Sequence, residues 1–167
     1  MGKITIKLGD ITEEPADAIV TAANERLSGG GGVDGAVHRA AGPALLEECR
    51  EIGGCPTGQA VITGAGKLKA KRVIHTVGPV WRGGGSNEAQ LLANAYRNSL
   101  FLAKQSGVKT IAFPAISTGV YGYPIGEAAR IALDAGKSFK NDFDEIVFVC
   151  FSEDDLAVYR AAAETVL

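Results

Sequence analysis

The chain has 167 residues, 46% hydrophobic and 22% charged, with a formal net charge of -2. That length suits one domain with a substantial core, and the near-neutral balance argues against a broad polyanion-binding surface such as a duplex DNA groove. Cys49, Cys55 and Cys150 form no C-x-x-C pair, and His38 and His75 are the only histidines. Reduced thiols in a cytoplasmic protein are therefore expected, rather than a disulfide frame or a zinc centre.

Lys3 to Leu8 alternate polar and apolar and read as a strand, ending at Gly9-Asp10 and leaving no room for a signal peptide. Ala18 to Thr21 form a second short strand, and "AANERLSGGGG" is loop. Gly35 to Ala41 fit one or two helical turns closed by Gly42; Pro43 opens another helix running to about Ile52 and stopping at Gly53-Gly54. Ala60 to Thr63 and Arg72 to Val77 are strand candidates, and Gly83-Gly84-Gly85-Ser86 reads as a mobile loop. Asn87 to Gln105 carries apolar residues at helical spacing. Thr110 to Phe113 is a strand, Glu127 to Lys137 a helix, Glu145 to Phe151 a buried-looking strand, and Asp154 to the end a closing helix. Strands alternating with helices predict a single α/β layered domain with a mainly parallel sheet. No apolar run reaches the roughly 18 residues of a transmembrane helix.

The run "GGGGVDGAVH", residues 29–38, is the strongest local signal. It satisfies G-x-G-x-x-G, but a long loop separates it from the preceding strand, where a dinucleotide fingerprint needs a tight turn. The acidic residues about 20 positions on, Glu47, Glu48 and Glu51, fall in a helix rather than at a strand end. A P-loop fails too, because Gly66-Lys67 is followed by Leu68. What survives is a backbone able to aim N–H groups at one anion, reinforced by the following helix N-terminus. A second such stretch, "PAISTGVYGYP" at 114–124, also follows a strand and precedes a helix. Two such loops can close on one ligand at the carboxyl ends of strands. A third strand end, Gly9-Asp10-Ile11-Thr12, offers a carboxylate for an exocyclic amine, so an adenine diphosphate ligand is suggested.

Four stretches in order, "GDIT", "AAN…GGGGVDGAVHRAAG", "VIHTVGPVW" and "FPAISTGVYGYP", resemble the macrodomain family of ADP-ribose-binding α/β/α folds, most closely its bacterial MacroD-like branch. The resemblance spans residues 4–152. It implies a three-layer α/β/α sandwich with a mixed, mostly parallel, about six-stranded sheet, and ADP-ribose in a cleft across the strand ends. It further implies that Asp10 binds the adenine amine with help from the Ile11 backbone. Asn24 would hold the distal ribose, and Ala23 would be a further substrate-binding residue. Gly31, Gly32, Val33 and Gly35 would wrap the phosphates and distal ribose, opposed by the backbone of Ser117, Thr118, Gly119, Val120 and Tyr121; Tyr121 would lie beside the distal ribose, and Phe151 would pack the adenine. The family usually reads V-N-A-A-N where this chain has Val20-Thr21-Ala22-Ala23-Asn24. Thr21 brings a shorter hydroxyl in place of an amide, and is expected to loosen the loop that positions Asn24.

Two function classes remain open at this point. One is a non-catalytic reader of ADP-ribose or ADP-ribosylated protein. The other is a hydrolase acting on esters at the distal ribose, either O-acetyl-ADP-ribose or mono-ADP-ribose on Asp or Glu side chains. The hydrolysing branch carries an Asn and an Asp spaced as Asn24 and Asp34 are here, which favours the enzyme. Asp34 also reads locally as a helix N-cap. As a catalyst it would orient or deprotonate water while Asn24 fixes the ribose hydroxyls; a phosphate-bound water assisted by the substrate is the rival mechanism. His38 and His75 read as packing residues, and no cysteine has a histidine beside it in sequence to make it a nucleophile. No metal or cofactor is expected, since backbone donors and helix ends can neutralise a diphosphate. No membrane partner is expected, and nothing in the residues points to nucleic-acid-linked ADP-ribose.

Overall fold

The computed structural model describes residues 2–167. The strands are β1 (Lys3–Leu8), β2 (Ala18–Ala22), β3 (Ala60–Gly64), β4 (Arg72–Thr76), β5 (Thr110–Phe113) and β6 (Glu145–Cys150). The helices are α1 (Gly32–Ala41), α2 (Pro43–Ile52), α3 (Glu88–Gln105), α4 (Ile125–Phe139) and α5 (Glu153–Val166). Local chemistry sets several of these boundaries. Pro43 opens α2, where its missing N–H is harmless, and Gly53 closes it in the left-handed region at φ 92°. The Ser152 hydroxyl caps α5 by accepting from Asp155 N, and Glu153, Asp154 and Asp155 place negative charge at the positive end of the helix dipole.

The strands form one six-stranded sheet in the order β1-β6-β5-β2-β4-β3. All neighbours run parallel except β3, which pairs antiparallel with β4 at one edge. Successive strand residues point to opposite faces, and both faces are covered. Ala18, Val20, Ile74, Phe113 and Phe148 pack with Leu92, Tyr96, Leu100, Ala132, Leu133 and Tyr159 of α3, α4 and α5. The alternate residues Ile19, Val73, Ala112 and Val147 pack with Val37 and Ala41 of α1 and Leu45 of α2. This is the expected three-layer α/β/α sandwich. Thr21 shares strand parity with Ile19, and His75 with Val73, so both lie on the α1–α2 side. No helix is long and apolar enough to cross a membrane.

One segment departs from the sequence reading. The Glu88 carboxylate at the start of α3 accepts from the backbone N–H groups of Arg82 (2.8 Å), Gly84 (3.0 Å) and Ser86 (2.6 Å). Those bonds, the Arg82 one foremost, hold its pKa down at about 2. The glycine-rich stretch expected to be mobile is thus tied to a helix end. Glycine supplies the backbone freedom for that wrap, including the positive φ of Gly83 and Gly84.

Candidate functional site

The topology opens a crevice between β2 and β5. These adjacent strands send their following segments to opposite faces, β2 to α1 and β5 to α4. They pair only through Ala18↔Ile111 and Ile19↔Ala112, whereas β2 stays paired with β4 as far as Ala22. Beyond Ile19 the two strands part, and a cavity of about 500 Å³ lies at their carboxyl ends, with Ala22 and Ala115 among its lining residues. Such a switch point is where open α/β sheets bind ligands.

Asn24 and the glycine run form one wall. The Asn24 amide donates to Gly29 O (2.8 Å) and Ser28 Oγ (3.0 Å), while its Oδ1 accepts from Ser28 N at 3.1 Å. Leu27, at φ 56° and 2% exposed, pins the same loop into a small cluster with Ala23, Cys49, Cys55 and Val77. These contacts hold the loop that carries Asn24. Gly29 to Asp34 continue the wall. The opposite wall is Ser117, Gly119, Val120 and Tyr121, shaped by Tyr123 N donating to Ser117 O (2.9 Å) and Gly122 N to Gly119 O (3.0 Å). Ser117 sits at φ 68°, and its buried hydroxyl has no hydrogen-bond partner.

Among the described residues, no backbone N–H from Gly29 to Asp34 or from Ser117 to Tyr121 finds a protein acceptor. These two facing loops therefore present main-chain donors that a ligand can engage. Together with the first turn of α1 they make a neutral-residue site for an anion, with no lysine needed.

Asp34 stands where these donors meet the core. It lies in the first turn of α1, inside the helix; Gly31 occupies the N-cap, so the capping role read from sequence is corrected. Asp34 is 5% exposed, and its Oδ1 accepts from Thr21 Oγ1 at 3.0 Å, with His38 Nε2 at 3.6 Å. Its Oδ2 is engaged by none of the described residues, and Asp34 lines the cavity. Burial raises its pKa above the ordinary carboxylate value, against the opposite pull of His38 and of the Thr21 hydrogen bond. A carboxylate of raised basicity beside a cleft has the character of a general base. The contacts of Thr21 and His38 with Asp34 were missed at the level of sequence. The signals that carry them are the strand parity of Thr21 and the i,i+4 spacing of Asp34 and His38 on one helix.

Behind Asp34, one ligand atom each from His38, Cys49 and His75 lies within 4.8 Å of the others, a set that in principle suits a soft divalent cation. Burial pushes the Cys49 thiol up to about 11 and the fully buried His75 down to about 4. His75 Nε2 also pairs with Thr63 Oγ1 at 2.9 Å. Cys49 and His75 are buried in the core, with Cys49 Sγ 3.8 Å from His75 Nδ1, and serve there as packing groups. Cys55 and Cys150 are likewise buried thiols pushed up to about 11.

Of the residues singled out in the sequence, Ala23, Asn24, Gly31, Gly32, Val33, Asp34, Ser117, Gly119, Val120 and Tyr121 all line this cavity. Thr118 and Gly35 do not. Gly35 is buried instead, and a Cβ there would run into the Gly30 carbonyl oxygen, so its place is to let the glycine loop close on α1. Asp10 and Ile11 follow β1, and Phe151 follows β6; these paired strands end side by side, Leu8 opposite Cys150. The Asp10 carboxylate accepts from Thr12 N (2.9 Å) and Thr12 Oγ1 (2.7 Å), Ile11 is buried, and the Phe151 ring is 84% exposed. These residues lie beyond the cavity lining, along the same edge of the sheet.

A six-stranded α/β/α sandwich with a glycine-built anion cleft at the β2–β5 switch point defines the class. The chain belongs to the Macro domain family, whose model matches residues 20–132. It is 62% identical over 153 residues to a Macro domain-containing protein of Ralstonia nicotianae, covering 92% of this chain and 90% of that one. It is 58% identical over 165 residues to the O-acetyl-ADP-ribose deacetylase of Citrobacter rodentium, covering 95% and 93%. Among solved structures, an Oceanobacillus iheyensis macrodomain mutant with ADP-ribose superposes with a TM-score of 0.91 at 46% identity, covering 96% of this chain and 91% of that one.

Proposed function

We propose that the protein binds ADP-ribose in the β2–β5 cleft and hydrolyses esters at its distal ribose. The substrates are O-acetyl-ADP-ribose and mono-ADP-ribose carried on Asp or Glu side chains of proteins. The observation that carries this reading is the joining of two features in one cavity: the unpaired N–H groups of Gly29 to Asp34 and Ser117 to Tyr121, and the buried Asp34 carboxylate. The donors suit a diphosphate, whose charge they meet without competing cations. Asn24 on one wall and Tyr121 on the other would meet the sugar beyond it. The relatives named O-acetyl-ADP-ribose deacetylase supply the ester chemistry.

In this mechanism Asp34 Oδ2 takes a proton from a water whose oxygen adds to the ester carbonyl carbon. The bond from that carbon to the ribose oxygen then breaks. The oxygen leaves with a proton as a ribose hydroxyl, and the acyl group departs as a carboxylic acid. The Thr21 hydroxyl fixes Oδ1 so that Oδ2 keeps its direction.

The test incubates the protein with O-acetyl-ADP-ribose and with a glutamate-ADP-ribosylated protein, following products by mass, beside Asp34→Ala. Loss of a positioned base lowers turnover by about 10²–10⁴-fold, while ADP-ribose affinity is largely kept. Wild-type turnover in Asp34→Ala would remove Asp34 from the mechanism. Tight ADP-ribose binding without turnover of either ester by the wild type would make the protein a reader.

A further inference from the structure

A second cavity, of about 620 Å³, adjoins the first and shares two of its lining residues, Asn24 and Tyr121. None of Gly29 to Gly32 lines it; its wall includes Glu25, Arg26, Thr57, Arg82 and Glu88. If the distal ribose sits at Asn24 and Tyr121, whatever that ribose carries must pass into this space. Its volume is in the range of about 300–1,000 Å³ that takes a drug-sized ligand, far more than an acetyl group needs. Arg26, Arg82 and Ser28 are exposed, so the space communicates with solvent.

The charges in its wall are not equivalent. The Glu25 carboxylate is occupied by Thr57 N (3.1 Å) and Thr57 Oγ1 (3.0 Å). Glu88 is occupied by the N–H groups of Arg82, Gly84 and Ser86. Glu88 thus has both oxygens engaged by the protein, while Glu25 has only Oε2 engaged. Among the described residues, the guanidinium groups of Arg26 and Arg82 have neither ion-pair nor hydrogen-bond partners. A guanidinium presents a planar fork of donors matched to a carboxylate. Among the described residues the space thus offers two unpaired guanidinium groups against one unengaged carboxylate oxygen, Glu25 Oε1.

We propose that this second cavity is the subsite for the polypeptide that carries the ADP-ribose, and that Arg26 and Arg82 select chains with acidic residues flanking the modified Asp or Glu. The proposal rests on the placement of the distal ribose given above. O-acetyl-ADP-ribose leaves the subsite unused, so Arg26 and Arg82 separate the two ester substrates.

The experiment compares the wild-type protein with an Arg26→Ala/Arg82→Ala double variant. Both side chains are exposed, and alanine keeps the Arg82 N–H that binds Glu88, so thermal melting is expected to be unchanged. Turnover is measured on O-acetyl-ADP-ribose and on mono-ADP-ribosylated peptides with acidic or neutral flanks. Affinity is measured by calorimetry for free ADP-ribose and for the same peptides. The double variant is expected to match wild type within twofold on O-acetyl-ADP-ribose and on ADP-ribose binding. On the acidic peptide kcat/KM falls about tenfold, through KM, as two exposed charge pairs warrant. The preference for acidic over neutral flanks, strong at low salt, disappears. Equal losses on all substrates, no loss on the acidic peptide, or no flank preference in wild type would each overturn the proposal. So would a 5′-ADP-ribosylated oligonucleotide that binds more tightly than the acidic peptide and depends more on the arginines. If wild type binds ADP-ribose but hydrolyses nothing, the catalytic reading fails alone. The calorimetric advantage of the acidic peptide over free ADP-ribose, and its loss in the double variant, then still decide the subsite.

Discussion

Replacing Thr21 by valine removes one hydroxyl and almost nothing else. The side chain is fully buried, and its Oγ1 donates to Asp34 Oδ1 at 3.0 Å. Valine keeps the volume and the β-branch that suits the strand, so the change isolates the hydrogen bond. A bond to a charged acceptor contributes about 1.5–3 kcal/mol, and stranding a buried acceptor costs about 1–3 kcal/mol. Taking about 1–3 kcal/mol, and about 2–4 °C per kcal/mol for a domain of this size, the melting temperature falls by roughly 2–12 °C at neutral pH. The pH dependence has a definite sign. The Thr21 bond lowers the Asp34 pKa against the larger effect of burial. Removing it raises that pKa further, so the acid limb of the activity profile moves to higher pH. The stability difference between Thr21→Val and wild type shrinks once the pH falls below the Asp34 pKa, where the carboxyl is protonated. Thermal melts and pH–rate profiles of wild type, Thr21→Ser and Thr21→Val measure both effects, with serine keeping most of each. A Thr21→Val protein with the wild-type melting temperature and acid limb would refute the reasoning. An equal loss in an Asp34→Ala background, where the acceptor is gone, would refute it too, since the two changes are expected to be non-additive.

Three further outcomes are expected. Gly35→Ala drives a methyl group into the Gly30 carbonyl oxygen, so it costs about 1–3 kcal/mol and displaces the glycine loop; ADP-ribose affinity and stability fall together, and calorimetry with denaturant unfolding shows whether they do. His75 has its pKa lowered from 6.5 to about 4, chiefly by burial, so the stability of its neutral form is present above about pH 6.5 and lost as the pH falls toward 4. An imidazole NMR titration places its midpoint, and a value near 6.5 would contradict the buried environment. Glu88 is held at about 2 by the Arg82, Gly84 and Ser86 N–H groups, so its contribution is present above about pH 4.5 and lost as the pH falls to 2. Glu88→Gln is therefore more destabilising at pH 7 than at pH 3 by denaturant unfolding; an equal loss at both would show that the carboxylate charge is not what ties the loop.

The fold was readable wherever the chain repeats a local rule. The alternation of Lys3 to Leu8, the apolar β-branched run at Ile146 to Val149, and the helical spacing from Leu91 to Ala103 each report burial on one or two faces, which is a property of neighbouring residues. The two glycine-rich loops were equally readable, because positive φ and close backbone approach leave few other residue choices. Their family motifs also carried the expected site residues. Hydrogen-bond partners far apart in sequence were not readable. Glu88 and the stretch from Arg82 to Ser86 looked like a helix start beside a mobile loop, and only folding showed the carboxylate gathering three N–H groups. Asp34 looked like a cap until α1 began at Gly32 and moved it inside the helix.

By itself the sequence determined the α/β alternation and the two anion-shaped loops, because each is encoded in residues adjacent along the chain. Only the tertiary structure decided what those loops enclose. The parting of β2 from β5 beyond Ile19 brings Asn24, Asp34 and Tyr121 to one cavity, and in the next cavity Arg26 and Arg82 are unpaired among the described residues. Distances, burial and unmet hydrogen bonds are properties of the packed molecule, and the chemistry of Asp34 depends on all three.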